Sequence, residues 1–377
     1  MKISYFVILL LSAAFLLIGH RIASRDIYTF TDEFSPSYHQ AVIIEITERI
    51  EMDAHDMWLS STEIIFEARI SGGERRGEIV EGIQHQSHFF AVNERDVSAG
   101  NRVILVYDDF GGQFFFVNYV RLNYILILGV IFLVLVVIFG KMKGFSGIVS
   151  LGFCCASVFL IFIPAILGGR NIYAAAIIVC IFSIISTLLL VIGINRKATS
   201  AMLGCFGGVC LAGILMFGMD SLMQLTGAIS LETTALLDIP APVPIDLRAI
   251  IFAGVIFGSV GAIMDVAMSI ASSLWEMRAV GGITDFRSLV KSGMTIGRDT
   301  LGTMLNTLIL AYIGSSLSLI LLISANTTSL IELFNMEMII VEFLRALVGS
   351  FGMLLTIPLT AVICGAMFSA IAEVKNR

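Results

Sequence analysis

Charge is what this sequence has least of. Only 14% of its residues are Asp, Glu, Lys or Arg, where a soluble domain carries about 25%. Apolar residues make up 57% of the chain and the mean hydropathy is +0.95. That balance excludes a soluble globular protein and points to one whose first partner is the lipid bilayer. Lysine is missing from residues 20–122, where nine arginines stand against seventeen acidic residues for a local net charge of -8. Cysteine is missing from the same segment. All six (Cys154, Cys155, Cys180, Cys205, Cys210, Cys364) fall inside apolar runs, so no disulfide framework is implied and core packing is their default use. The Cys154–Cys155 pair has no histidine or second cysteine pair nearby, so it is not a metal motif. P-loop, zinc-protease helix and nucleophile elbow are all absent, which excludes ATP-driven transport by this chain alone. No cofactor, metal or nucleic-acid partner is expected.

Long apolar runs take the place of charge. Eight are read, at about 4–19, 123–140, 145–167, 172–193, 198–219, 249–271, 299–323 and 341–367, each near the ~20 residues a membrane-spanning helix needs. The first follows a single lysine and is short for a span, and IAS at 22–24 makes a poor cleavage site, so an uncleaved signal anchor is expected. All six lysines fall in loops that alternate onto one side of such a bundle. Basic residues in short loops mark the cytoplasmic face. Both termini are therefore expected in the cytoplasm of a bacterial cell, with residues 20–122 outside the membrane. The expected organisation is an anchor helix (1–19), an extracytoplasmic β-rich domain (20–122), a seven-helix membrane domain (123–371) and a short tail (372–377). In fold class this is a mostly α membrane protein of about eight transmembrane helices, with one small barrel or sandwich-like domain inserted after the first.

The outer segment reads as strands. AVIIEITERI, STEIIFEARI, GEIVEGIQHQ, NRVILVYDD and QFFFVNYV are short, rich in Val, Ile and Phe, and partly alternating. Gly72–Gly73, Gly100 and Gly111–Gly112 punctuate them as turns. All five histidines lie in this half of the chain, with HQSH at 85–88. Positions i and i+3 of a strand face opposite ways, which argues against a metal pair there. Further on, Pro240, Pro242 and Pro244 exclude regular helix and imply an extended connector. In 274–298, Thr284 is a candidate cap for a short interfacial helix with Phe286, Leu289, Val290 and Met294 on one face.

The residues that matter most are polar ones inside apolar helices. On the sixth run Gly254, Gly258, Gly261, Asp265, Ser269, Ser272 and Glu276 recur every three or four residues and so share one helix face. Small residues let helices approach closely, so Asp265 is expected to face a neighbouring helix. The seventh run offers Asp299, Thr303, Asn306 and Gly314. The eighth offers Glu342, Arg345, Gly349, Gly352, Thr356 and Thr360, with Pro358 able to kink it. Depths counted at about 1.5 Å per residue place Asp265 and Asn306 at one level, within hydrogen-bond reach. Glu342 and Arg345, one turn apart, read as an ion pair. Arg298 and Asp299 are expected at the membrane boundary, where Asp299 suits a helix N-terminus.

GVIFGSVGAIMDVAMSIASSLWEM, GRDTLGTMLNTLILAYIGSS and VEFLRALVGSFGMLLTIPLTA, in that order, resemble the YibE/F family of bacterial membrane proteins. The resemblance covers about residues 123–370. It implies a multi-pass architecture and the activity of a predicted permease, and VEFLR keeps the Glu342 and Arg345 spacing.

Two functions are weighed. The first is secondary transport of an unknown solute or coupling ion, with Asp265, Asn306, Thr303, Glu342, Arg345 and Thr356 along the pathway and Gly254, Gly258, Gly261, Gly349 and Gly352 packing the helices. The second is a non-transporting scaffold whose outer domain binds an envelope partner. An intramembrane aspartyl protease built on Asp265 and Asp299 is set aside, because no GxGD sequence precedes either. No enzymatic activity is expected.

Overall fold

Alternation in the polar segment is carried through into a barrel. The computed structural model describes residues 2–25, 27, 37–52, 61–87, 95–108, 111–326 and 329–375. Its strands are β1 (Ser37–Met52), β2 (Ser61–Ile70), β3 (Ile79–Ser87), β4 (Arg102–Asp108) and β5 (Gln113–Tyr119). All five stretches read as strands form strands. They close in the order β1-β2-β3-β5-β4, with β4 returning to pair with β1 and β3 running parallel to β5. That is a five-stranded Greek-key barrel of the OB-fold kind. Along β2, Thr62, Ile64, Phe66, Ala68 and Ile70 point in and are buried. The long β1 bridges two partners by bending at bulges near Ile43–Glu45 and Ile46–Glu48, the usual device for curling a sheet. Gly112 takes φ +66 in the β4–β5 turn, a conformation that favours glycine.

Two inward amides tie a neighbouring segment to the barrel. The Gln84 side chain donates to the Arg95 carbonyl at 3.2 Å and accepts from the Val97 amide at 3.0 Å. Gln86 donates to Asp96, which also takes Arg49 at 2.7 Å. The Gln86 hydrogen bond, then Arg49, hold the Asp96 carboxyl below its ordinary range. A depressed carboxylate stabilises the fold above its unfolded pKa of about 3.9 and loses that contribution as pH falls further. Amide protection factors in β1–β3, corrected for the intrinsic pH dependence of exchange, are therefore expected to fall below pH ~4, and to do so less in Asp96→Asn. The effect will be small, since both partners are half exposed and screened.

The barrel and the first part of the helix that follows it belong to one compact unit, Phe30–Leu135, and the other helices to a second, Met1–Thr29 with Val136–Arg377. The helices are α1 (Lys2–Ala23), α2 (Leu122–Ser157), a π-helical turn (Val158–Phe162) running into α3 (Ile163–Leu167), α4 (Ile172–Ile192), α5 (Arg196–Met223), α6 (Leu231–Ala235), α7 (Leu247–Ala279), α8 (Phe286–Ser315), α9 (Leu317–Asn326), α10 (Leu330–Leu333) and α11 (Glu337–Lys375). Among the described residues six stretches are long and apolar enough to cross a membrane, and a seventh arises if α8 and α9, bent by 60°, count together. The stretch Leu122–Leu167 holds 46 residues, or about 69 Å at 1.5 Å each. It is broken at Lys141, whose φ of 49° is not helical. A Cβ on Gly144 would collide with the Val136 carbonyl, so the chain doubles back there.

Within the helical unit α11 is the hub, packed on α5, α7 and α8. Its stripe of Gly349, Gly352, Thr356 and Thr360 is buried and faces α5 and α7. Thr356 and Thr360 press on Gly208 and Gly204 of α5, where an added Cβ would clash. The helix runs unbroken through Pro358.

Two expectations need correction. The stretch 286–298 is not a separate interfacial helix but the start of α8, and its cap is Asp285, not Thr284. The Asp285 carboxylate accepts from the Ser288 amide at 2.8 Å, which holds it below its ordinary range. No proline interrupts 286–315, and Gly293 and Gly297 serve as contact points for Ala361 and Ile357. Asp299 consequently lies in mid-helix, exposed, and not at a helix N-terminus. The prolines at 240–244 do exclude helix, but α6 forms just before them on a Ser230–Thr233 capping box.

Candidate functional site

α7 has two unlike faces. One carries Phe252, Ile256, Ser259, Ile263, Ile270 and Leu274, all buried against α5, α8 and α11. The opposite face carries Gly254, Gly258, Gly261 and Asp265, all exposed. The small-residue stripe is thus not the main packing face of α7, contrary to expectation. An apolar face buries more area than a glycine face, so the helix turns its isoleucines inward.

The same competition decides α8. Leu301, Met304, Leu305, Leu308 and Tyr312 form its core-facing stripe. Thr303 and Asn306 fall on the exposed back. Thr303 bonds only its own helix, donating to the Thr300 carbonyl at 3.0 Å. The expected Asp265–Asn306 hydrogen bond is not made, and neither residue has a hydrogen bond or ion pair among the described residues. Thr356 is fully buried and donates to the Gly352 carbonyl at 2.7 Å, which makes it a packing residue between α5 and α11.

Toward the other end of the α7 face a polar cluster stands beside the glycines. Arg345 Nη1 donates to Glu342 Oε1 at 2.9 Å, the expected pair on α11. Tyr312 lies in electrostatic reach of both, and its hydroxyl occupies the space that a Cβ on Gly258 would fill. Gly254 faces Arg345 Nη2, 3.9 Å from where its Cβ would stand. Tyr312 Oη, Glu342 Oε2 and Arg345 Nε are buried without a partner among the described residues. Such orphans are uncommon in low dielectric and mark places where a group or a conformational change completes the bonding. Sequence reasoning misses Tyr312 because it reads as one more aromatic on an apolar helix.

Gly261 has nothing within 4 Å of its missing Cβ. It walls a cavity of about 450 Å³ between α2, α4 and α7. There Ser150 donates to Thr187 Oγ1 at 2.7 Å, and Cys154 Sγ lies 3.5 Å from the same oxygen. Asp265 stands one helical turn beyond that wall. Small and polar residues therefore border a hollow on the one side of α7 that carries a carboxylate. In the barrel, His85 sits 3.2 Å from Glu63, and His88 lies outside the described residues. No group of three metal-ligating side chains occurs among the described residues.

Apolar helices of spanning length and glycine–threonine packing between them fit one class, the polytopic helical membrane protein. Residues 128–370 match the YibE/F-like protein family, and the chain belongs to it. No curated protein and no solved structure matches the chain.

Proposed function

We propose that this protein is a secondary transporter of an unidentified solute, with its pathway along the exposed face of α7 and the helices α8 and α11 beside it. The observation that carries this reading is Asp265: a carboxylate within an apolar helix, unpaired among the described residues and one turn from a cavity wall. Charged residues near a bilayer centre cost at least about 2.5–3.5 kcal/mol, and a residue that gives nothing back in hydrogen bonds has no structural reason to be charged. At the other end of the same face, the Tyr312–Glu342–Arg345 cluster borders Gly254 and Gly258. Flux into proteoliposomes across a solute panel, with an Asp265→Asn control, tests the reading.

The proposed topology counts eight crossings, taking the break at Lys141 as a reversal and α8–α9 as one bent span. It places both termini in the cytoplasm of a bacterial cell and the barrel outside, on the lysine distribution. In a background without native cysteines, Ser98→Cys is expected to react with an impermeant maleimide in intact cells and Thr284→Cys only after lysis. The opposite pattern would invert the topology.

The second reading, a scaffold whose barrel binds an envelope partner, draws on Tyr38, Ile44 and Ile46, exposed on β1. Absence of flux for every solute on the panel, in wild type as in Asp265→Asn, would favour it.

A further inference from the structure

α4 and α5 diverge enough to leave an apolar groove between them. It has a volume of about 720 Å³. Ile177, Ile181 and Ile184 line it from α4, and Phe206, Gly213 and Phe217 from α5. Phe252 and Ile256 of α7 form its floor. From Tyr173 to Ile185 it follows twelve residues of α4, about 18 Å at 1.5 Å per residue. One leaflet of a bilayer core is about 15 Å thick. The groove therefore has the length and lining of a single acyl chain held in one leaflet.

Its end is not apolar. Tyr173, whose ring lies 5.1 Å from that of Phe252, also lines a second pocket of about 330 Å³. That pocket is built from the turn before α4 and the segment before α7, and its polar members include Arg170, Asn171 and Asp246. Arg170 is exposed at the helix end and donates to the Ile22 carbonyl at 3.3 Å. The Asp246 carboxylate caps α7 through the Arg248 and Ala249 amides, at 3.0 and 3.3 Å. A cation and an anion thus stand where an acyl chain would meet its headgroup.

We propose that the two pockets are one site for a zwitterionic glycerophospholipid, its acyl chain between α4 and α5, its phosphate at Arg170 and its ammonium toward Asp246. The charged pocket that shares Tyr173 with it is what distinguishes this groove from ordinary lipid-facing surface. The run on α2 from Leu122 to Gly140 is also apolar and largely exposed, but apolar character alone selects no headgroup. The site does not depend on transport and stands whether or not the protein moves a solute.

The test is native mass spectrometry of the purified chain after mild delipidation and re-addition of defined lipids. Phosphatidylethanolamine is expected to be retained at about one per chain. Diacylglycerol with the same acyl chains is expected to be retained at least fivefold less, and phosphatidylglycerol at an intermediate level. Gly213→Leu fills the groove, and the nearest neighbours of its Cβ are Phe252 and Ile256, no closer than 3.7 Å, an ordinary contact. It should reduce retention of every lipid at least fivefold. Arg170→Gln should bring phosphatidylethanolamine down to the diacylglycerol level. Equal retention of phosphatidylethanolamine and diacylglycerol, or no loss in Gly213→Leu, overturns the site. Stronger retention of phosphatidylglycerol overturns the zwitterionic assignment. Failure of inorganic phosphate to compete supports a lipid source, and effective competition overturns it. A wild-type measurement guards against misfolded variants: a phospholipid with a mid-chain diazirine should cross-link to residues 177–185 and 206–217. Labelling spread evenly over the exposed apolar residues overturns the proposal.

Discussion

Gly208→Val is expected to be the most destabilising single substitution in the helical unit. Gly208 is where three helices meet. A Cβ there would collide with Thr356 Oγ1 and come within 3.1 Å of the Gly352 carbonyl and 3.2 Å of Ile263. Two of those neighbours cannot give: one is backbone, and Thr356 is fully buried and bonded to its own helix. Overpacking a tight core costs about 1–3 kcal/mol, and more where backbone must move. Detergent-purified Gly208→Val should melt several degrees lower or lose its monodisperse peak. Gly261→Val is the control, because its Cβ meets nothing within 4 Å. Adding Thr356→Ala to Gly208→Val should recover part of the loss, the non-additivity that contacting residues show. Equal melting of the two valine variants would show that α5 and α11 do not approach at this point.

Asp265→Asn is expected to have the largest effect on function and almost none on stability. The carboxylate makes no hydrogen bond or ion pair among the described residues, so the amide gives up no contact. Melting should match wild type within about 1 °C, well below the several degrees that 1 kcal/mol produces in a small domain. Solute flux driven by an ion gradient should fall at least tenfold, because an amide cannot exchange a proton or pair with a cation. Asp265→Leu should fold as well, since no buried bond is broken, and should be equally inactive. A folded Asp265→Asn protein with wild-type flux would remove Asp265 from the mechanism.

Several features are legible in the sequence because they depend on local chemistry. The five strands follow from alternation and glycine turns. The Glu342–Arg345 pair follows from one turn of helical spacing. Packing by Gly349 and Gly352 follows from small residues at that period. Helix rotation is where the sequence misleads. The spacing of Gly254, Gly258, Gly261, Asp265, Thr303 and Asn306 suggests inward-turned stripes, yet all six residues lie on exposed faces. A helical period says which residues share a face, not which face meets a neighbour. In water a polar stripe points outward by default; in a membrane protein both faces can be apolar enough, and the larger area wins. The GCFGG sequence at 204–208 is a usable signal for the α5 contact, but glycines are common in membrane helices and these stand beside no charge.

The sequence by itself determined the apolar helices, the barrel strands, the family and the few polar residues worth testing. Each is a property of composition, period or motif, which neighbours along the chain fix. Only the tertiary structure decided that α11 is the hub, that the Tyr312 hydroxyl lies against Gly258, that Asp265 does not meet Asn306, and that an apolar groove and a charged pocket share Tyr173. Those depend on how far each helix is rotated and how closely it approaches. Rotation and approach are set by the fit of side chains far apart in the chain, which no local pattern records.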